Sequence, residues 1–183
     1  MGKIDRLGTF FKQQSGGIIV DLFIHDFDLL RWLTGQEIQL ISGYMAKNIL
    51  PEYPSFYDVA CLHVVMEGGV TAQLYADWHT PNKSWTWGDG RIFIVGTSGV
   101  AEYRLEGDPI VGKDSVGYKV TNDAHLLEIK EESAPITITR DFINRINGEV
   151  GLVTHHDILA ATTATIDADE KAELIGALNV ENV

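Results

Sequence analysis

The stretch from Ser15 to Gly35 constrains the fold of this 183-residue chain more than any other part of the sequence. It reads SGGIIVDLFIHDFDLLRWLTG: two glycines, a short apolar run, and then a pattern with helical periodicity. If a helix begins near Asp21, then Asp21, His25 and Asp28 are spaced i, i+4 and i+7 and share one narrow polar stripe. The leucines and phenylalanines between them form a separate apolar arc, which predicts packing on a core. Gly35 predicts the end of this helix.

The polar stripe admits two interpretations. A histidine ionises near neutral pH and can take and return a proton, and a carboxylate one helical turn away can orient its ring. This interpretation makes Asp21 and His25 an acid–base pair. In the other interpretation, Asp21 caps the start of the helix and His25 is a half-buried structural residue. The spacing alone is compatible with both.

The same stretch resembles the signature of the glucose–fructose oxidoreductase/inositol dehydrogenase (Gfo/Idh/MocA-type) family of NAD(P)-dependent enzymes. The matching positions are Gly16, Gly17, Asp21, His25, Asp28, Leu29, Leu30, Trp32 and Gly35. The segment FIVGTSG, Phe93 to Gly99, is similar to a family strand followed by a Gly-Thr-x-Gly turn, and the helix expected after Thr154 is similar too. The resemblance extends along nearly the whole chain, but only to the second, substrate-binding and oligomerisation half of the family's enzymes.

The resemblance implies oxidation of an alcohol on a sugar or cyclitol, or the reverse reaction, by hydride transfer with NAD or NADP. In that chemistry His25 is the general acid/base, and Asp21 orients it and hydrogen-bonds the substrate. The resemblance also counts Asp28 among the substrate-binding residues, although its role is mainly structural: it holds the helix or the adjacent loop. The expected partners are a small polyol or sugar and a separate nucleotide-binding domain.

The cofactor is expected only in the complete enzyme. The chain contains no G-x-G-x-x-G fingerprint between a strand and a helix, and no Lys-Pro pair like the one in the family's first domain. The sequence therefore predicts a single domain, 1–183, from which the N-terminal dinucleotide-binding domain is absent. Alone, such a chain is expected to bind no NAD(P) tightly, to hold no metal and to be inactive.

Two further regions offer candidate substrate contacts. The loop HTPNKSWTWGDG holds Lys83, Trp85 and Trp87, and tryptophans in a polar loop favour a ligand pocket or an interface over packing on the sheet edge. Near the C-terminus, His155 and His156 are adjacent, so on a helix they point about 100° apart and cannot chelate one ion together. His156 is the better candidate for the edge of a pocket.

The composition of the chain argues against some classes of binding partner and favours one cellular compartment. The net charge of −12 offers no basic face for nucleic acid or for an anionic membrane surface. The single cysteine, Cys61, excludes a disulfide within the chain, and neither a signal segment nor a long apolar run is present. These features favour a cytoplasmic protein.

The remaining pattern predicts an α+β fold, with a large, open, mostly antiparallel sheet and helices on one face. Strands are expected at Gly2 to Lys12, Gln39 to Lys47, in a hairpin around Gly68-Gly69 and around the GTSG turn, with two or three more between Asp108 and Lys130. Helices are expected at Pro135 to Gly148 and Thr154 to Ala177. The other face of the sheet would be free for assembly into a homodimer or tetramer.

Three functions are compatible with this sequence. The first is the substrate-binding and oligomerisation half of an oxidoreductase. The second is a non-catalytic dimerisation or ligand-binding module of the same fold. The third is a metal-dependent enzyme that uses Asp21, His25 and Asp28, although three ligands along one helix face lie in a line rather than around a point.

Overall fold

The computed structural model describes residues 10–112, 115–130 and 132–176. Its elements in chain order are α1 (Lys12–Ser15), a π-helical turn (Ile19–Phe23) continuing into α2 (Ile24–Thr34), β1 (Ile38–Ala46), β2 (Val59–Met66), β3 (Thr71–Asp77), β4 (Arg91–Gly96), β5 (Gly99–Arg104), β6 (Val116–Thr121), β7 (Ala124–Glu128), α3 (Ile138–Ile146), α4 (His155–Lys171) and β8 (Glu173–Ile175). Most of the strand expected at Gly2 to Lys12 lies outside the described residues. The chain forms two compact units, one made of 1–79 with 141–183 and the other of 80–140.

The first unit is built on a four-stranded sheet in the order β3-β2-β1-β8. β1, β2 and β3 pair antiparallel, and β8 joins the other edge of β1 in parallel. The expected hairpin is confirmed, because β2 and β3 pair through a tight turn at Gly68-Gly69. On β2, alternate residues Ala60, Leu62, Val64 and Met66 are buried, which makes one face of the sheet the core face.

Gly43 in β1 is required by a close approach between strands. A Cβ at this position would lie 2.1 Å from the carbonyl oxygen of Cys61 and 2.8 Å from the Cα of Leu62, and the backbone φ is +155°. Any side chain at Gly43 would therefore push β1 away from β2.

The helix that carries the polar stripe begins earlier than the sequence pattern indicates. Ile18 and Ile19 do not precede the helix; they are buried in its first turn, which is π-helical, and α2 follows at Ile24. Phe23 and Phe27 are completely buried and each contributes roughly 1.5–3 kcal/mol by leaving water. Their packing against the core face of the sheet fixes α2, which then ends at Gly35 in the left-handed conformation.

α4 packs beside α2 and completes the core of the first unit. Its N-terminus is a capping box: the Thr154 hydroxyl accepts from the backbone N–H of Asp157, and the Asp157 carboxylate accepts from the backbone N–H of Thr154. Thr154 is therefore the N-cap of α4, at the start of the helix that the sequence predicts. The helix stops at Lys171, several residues before the expected end, because residues Glu173–Ile175 pair with β1 as a strand.

The second unit contains an antiparallel sheet in the order β4-β5-β6-β7. The predicted hairpin around the GTSG turn is confirmed by β4 and β5. Gly117 lies inside β6, where a Cβ would collide with the ring of Tyr103. Two open, mostly antiparallel sheets with helices confirm the α+β class, although the strands divide between two sheets of four. Among the described helices, none combines the length and the apolar character that crossing a membrane requires.

Candidate functional site

The polar stripe of the sequence is an exposed line of side chains on a helix anchored in the core. Asp21, His25 and Asp28 are all exposed to solvent, while Phe23 and Phe27 on the opposite side of the same helix are buried. In the described ranges, neither Asp21 nor His25 has a side-chain hydrogen bond or ion pair. Both side chains are therefore accessible to a ligand.

The π-helical turn changes the geometry of this line. Asp21 lies inside the turn and His25 lies in the α-helix that follows. A π-helical residue advances by a smaller angle about the axis than an α-helical one, so Asp21 departs from the straight stripe that a regular helix predicts. Single π-helical turns within α-helices are frequent at functional sites.

Trp32 extends the exposed line by one more turn. It follows Asp28 at i+4 and leaves 77% of its surface exposed, which is unusual for the largest apolar side chain. The periodicity that identifies Asp21, His25 and Asp28 would also have identified Trp32, since the four residues share the spacing of one helix face.

Asp26 is a further acidic group beside His25. It is half-buried, and burial raises the pKa of its carboxyl above the usual value while the neighbouring His25 opposes that rise. Sequence periodicity gives no signal for this residue, because it lies outside the polar stripe.

A cluster of charged groups fixes the C-terminal end of α2 to the start of α4. The guanidinium of Arg31 is buried and forms a bidentate pair with Glu37, with distances of 2.8 Å (Nε to Oε2) and 2.7 Å (Nη2 to Oε1). Its Nη1 also lies 3.1 Å from Oδ1 of Asp157 in the capping box. His156 approaches Glu37 at 3.2 Å from its Nε2. The cluster therefore joins α2, the start of β1 and α4.

The protonation of this cluster follows from its pairing. Hydrogen bonds from Arg31 lower the pKa of Glu37 to about 2, and those from Thr154 together with Arg31 lower the pKa of Asp157 to about 2. The Glu37 carboxylate in turn raises the pKa of Arg31 above its usual value. All three groups are charged at neutral pH.

This cluster predicts a specific loss of stability in acid. In the unfolded chain the pKa of each carboxyl is about 4, and in the folded chain it is about 2. The stability that these two carboxylates give to the folded state is therefore complete above about pH 5 and is lost as the pH falls toward 2. Thermal melting between pH 6 and pH 2.5 should show a steeper fall for the unmodified chain than for Arg31→Met. Arg91→Met, which removes an exposed pair with Asp89, is the control and should leave the slope unchanged. Parallel curves for all three proteins would contradict the prediction.

Two grooves flank the cluster. One, of about 440 Å³, lies between the start of β1 and α4 and is bordered by His156 and Leu159. The other, of about 360 Å³, lies between the end of α2 and the segment before α4, and Asp28, Trp32 and Leu152 line it. Arg31 and Glu37 border both grooves. The structure thus places Asp28 in one groove and His156, itself mostly exposed, at the edge of the other.

The other candidates lie in the second unit. Lys83, Trp85 and Trp87 are exposed in the loop before β4, and Trp87 leaves 84% of its surface accessible. The Thr86 hydroxyl between the tryptophans lies 2.8 Å from the carbonyl oxygen of Gly88 and 3.0 Å from the Glu106 carboxylate, and its one O–H bonds within this pair of acceptors, so the loop has a defined shape. The side chains of Trp85 and Trp87 are therefore not buried in the core of their own unit.

A second buried ionic cluster organises the loop between β1 and β2. The Asp58 carboxylate, with none of its surface exposed, accepts from the backbone N–H of Asn48 at 2.7 Å, from that of Ile49 at 3.1 Å and from His79 at 2.5 Å. Burial alone would raise the pKa of Asp58, but these hydrogen bonds outweigh it and the pKa lies below its usual value. The Lys47 ammonium shares its three N–H donors among four carbonyl oxygens within 3.2 Å, those of Ile49, Leu50, Tyr53 and Phe56.

Residues 10–112, 115–130 and 132–176 contain no group of three or more His, Cys, Asp or Glu side chains arranged to hold a metal ion. The two ionic clusters gave no sequence signal, because their members are separated by up to 126 residues and only the fold brings them together.

Comparison with known proteins relates this architecture to one group. Residues 5–102 match the family model described as the GFO/IDH/MocA C-terminal domain. The scyllo-inositol 2-dehydrogenase (NAD(+)) of Bacillus subtilis (strain 168) is 26% identical over 159 residues, which cover 78% of this chain and 45% of that protein. Myo-inositol dehydrogenase Hyg17 of Streptomyces leeuwenhoekii is 42% identical over 55 residues, 30% of this chain and 15% of that protein.

Solved structures with a similar fold are also oxidoreductases by description. A crystal structure from Erwinia carotovora atroseptica SCRI1043, described as an oxidoreductase, superposes with a TM-score of 0.85 at 26% identity, covering 96% of this chain and 53% of that one. The chain thus spans about half the length of the relatives that it matches. Since the family model matches more than half of the chain, and matches the part that carries the exposed Asp-His-Asp line, this protein belongs to the GFO/IDH/MocA C-terminal domain family.

Proposed function

We propose that this chain is the substrate-binding and oligomerisation half of an NAD(P)-dependent oxidoreductase that acts on a sugar, a cyclitol or a related alcohol or carbonyl. The observation that carries the proposal is the exposed line of Asp21, His25 and Asp28 on a helix whose opposite face is locked into the core. Two relatives named as inositol dehydrogenases support the substrate class.

The roles follow from the chemistry of the side chains. His25 exchanges a proton with the reacting oxygen of the substrate, since imidazole is the side chain best suited to that exchange near neutral pH. Asp21, which is not hydrogen-bonded to His25 in the described structure, orients His25 when substrate is bound and accepts a hydrogen bond from a substrate hydroxyl. Asp28 lines the adjacent groove and binds a more distant part of the substrate or holds the neighbouring loop.

Further contacts to substrate come from residues that the fold leaves accessible. His156, held beside Glu37, lies at the edge of the other groove and can donate to a polyol hydroxyl. Lys83, Trp85 and Trp87 are accessible in their own unit, and indole rings suit the apolar faces of sugar rings.

The hydride carrier belongs to the other half of the enzyme in this proposal. A nicotinamide accepts or donates the hydride, and a glycine-rich strand–turn–helix is the usual cradle for its dinucleotide. In this proposal a nucleotide-binding domain holds the cofactor, and this chain contributes proton transfer and substrate contacts.

We propose that a second copy of this chain binds to the outward face of the sheet in the first unit. Tyr44, Cys61 and Tyr75 occupy neighbouring positions across β1, β2 and β3 on that face. Tyr44 and Tyr75 are both exposed, and aromatic residues are enriched in interfaces. The expected assembly is a homodimer or a tetramer.

An activity screen tests the proposed function. The complete enzyme, with its nucleotide-binding domain, is incubated with NAD⁺ or NADP⁺ and with a panel of inositols, aldoses and short polyols while nicotinamide reduction is followed by absorbance. At least one cyclitol or sugar should give turnover, and the 183-residue chain alone is the matched control without activity. If the complete enzyme binds the nucleotide and no panel member reacts, the non-catalytic binding module becomes the better description.

A further inference from the structure

A second histidine of the first unit, His79, is held by a buried carboxylate. It follows β3, and its Nε2 lies 2.5 Å from Oδ2 of Asp58. The Asp58 side chain has none of its surface exposed, whereas His79 leaves 37% of its side chain accessible. A histidine that is bound through one ring nitrogen is fixed in its orientation, and the bond also selects the tautomer of the ring.

The pairing decides where the ring of His79 carries its proton. Burial acts to raise the pKa of Asp58, but its hydrogen bonds outweigh that effect and leave the pKa below its usual value, so the carboxylate is charged at neutral pH. A charged carboxylate only accepts hydrogen bonds, and therefore Nε2 of His79 donates. In the neutral ring the other nitrogen, Nδ1, keeps a free lone pair. Within the described part of the chain, Nδ1 has no hydrogen-bond partner.

The backbone around His79 is fixed as well as its ring. The N–H of Trp78 donates to the carbonyl oxygen of Asp58 at 2.9 Å, and the N–H of His79 donates to Oδ1 of Asp77 at 2.7 Å. The Trp78 side chain packs against the core. Nδ1 of His79 is therefore a preorganised acceptor, which can bind a ligand without the entropic cost of ordering a free side chain.

Other groups already meet the structural needs of the Asp58 carboxylate. It accepts from the backbone N–H groups of Asn48 and Ile49 and, at 3.3 Å, from the side-chain amide of Asn48. Many side chains could supply one further donor, but imidazole carries a second nitrogen that faces away from the carboxylate. A role in the loop alone uses Nε2 and leaves Nδ1 of His79 without a function.

His79 lies at the same end of the first unit as the start of the proposed catalytic helix. α2 ends beside the β2–β3 turn, where the Gln36 side chain accepts from the backbone N–H of Gly68 at 3.0 Å. The π-helical turn that carries Asp21 is therefore directed toward the opposite end of the sheet. β3 runs from the β2–β3 turn to that opposite end and contacts the π-helical turn. Asp21 and His79 thus share one end of the unit.

We propose that His79 is a substrate-binding residue whose Nδ1 accepts a hydrogen bond from a hydroxyl of the sugar or cyclitol, and that Asp58 is the residue that positions its ring. The inference rests on the proposed function, which supplies a polyol as the ligand. A polyol hydroxyl that donates to Nδ1 can still accept from a second group. Because a site that pairs with a hydroxyl rejects analogues that lack it, His79 contributes to the choice among polyols.

The variant His79→Gln separates substrate binding from a structural role. The amide nitrogen of glutamine can take the position of Nε2 and donate to Asp58, but glutamine has no group at the position of Nδ1. In the complete enzyme, KM for the substrate that the panel identifies should rise roughly tenfold, the effect of one lost hydrogen bond, while kcat stays within about twofold. A role only in the loop predicts unchanged kinetics. His125→Gln, an exposed histidine on β7, is the matched control.

Histidine footprinting gives a readout that does not depend on turnover. The complete enzyme is treated with diethyl pyrocarbonate, which carbethoxylates unprotonated imidazole nitrogens, with and without saturating myo-inositol, scyllo-inositol or D-glucose. Modified peptides are then quantified by mass spectrometry. At least one of these three probes should slow the modification of His79 several-fold and leave that of His125 unchanged.

Every other result is decisive. Modification of His79 at the same rate with all three probes would overturn the proposal, and so would an unchanged KM for His79→Gln. Protection of His79 in an enzyme that turns over no panel member would reject the proposed reaction alone. Turnover by an enzyme whose His79 stays unprotected would reject the binding role of His79 alone.

Discussion

Replacement of His25 by glutamine should lower kcat of the complete enzyme by roughly 10²–10⁴-fold, the usual contribution of general acid–base catalysis. Glutamine keeps the size and a hydrogen-bonding end but cannot exchange a proton. Because His25 is exposed and its side chain has no hydrogen bond to the described residues, the melting temperature should stay within about 2 °C of the unmodified enzyme. Steady-state kinetics and a thermal melt measure both quantities.

The pH profile separates proton transfer by His25 from a role in binding. The limb of log kcat/KM that reports an ionising imidazole should be present in the unmodified enzyme and absent from His25→Gln. Asp21→Asn should lower kcat less than His25→Gln, since it removes an orienting charge rather than the proton carrier. Glu170→Gln, an exposed change on α4, serves as control and should leave the kinetics unchanged. Retention of full kcat by His25→Gln would remove the histidine from the mechanism.

Replacement of Asp58 by alanine should destabilise the first unit by about 3–5 kcal/mol, the range for removing one partner from a buried ionic network. The change leaves the backbone N–H groups of Asn48 and Ile49 and the ring of His79 without their acceptor. It also removes the negative charge that favours the Lys47 ammonium. Urea unfolding followed by circular dichroism gives the change in free energy of unfolding.

Two companion variants show whether the effect arises from the buried carboxylate. Glu52→Ala changes an exposed carboxylate in the same loop and should alter the free energy of unfolding by less than about 0.5 kcal/mol. Asp58→Asn keeps one acceptor oxygen and should fall between the alanine variant and the unmodified chain. A loss below about 1 kcal/mol for Asp58→Ala would show that the loop does not depend on this group.

Local sequence patterns located most of the secondary structure correctly. Alternation of apolar and polar residues on either side of Gly68-Gly69 was sufficient for the β2–β3 hairpin, since a two-residue period leaves one face for the core. Thr154 was identifiable as an N-cap because capping depends on residues three positions apart. The end of α4 could not be identified in the same way. Residues Glu173–Ile175 form a strand because they pair with β1, which lies more than 120 residues earlier in the chain.

For the candidate site, the sequence by itself placed Asp21, His25 and Asp28 near one side of a helix, because the spacing of residues along a helix is a local property. The tertiary structure decided that all three are exposed and that the π-helical turn moves Asp21 out of line. Only the tertiary structure decided that Arg31 joins Glu37 and Asp157, and that Asp58 is buried with His79. The physical reason is that buried charges depend on which distant segments are brought together. No local period encodes those contacts.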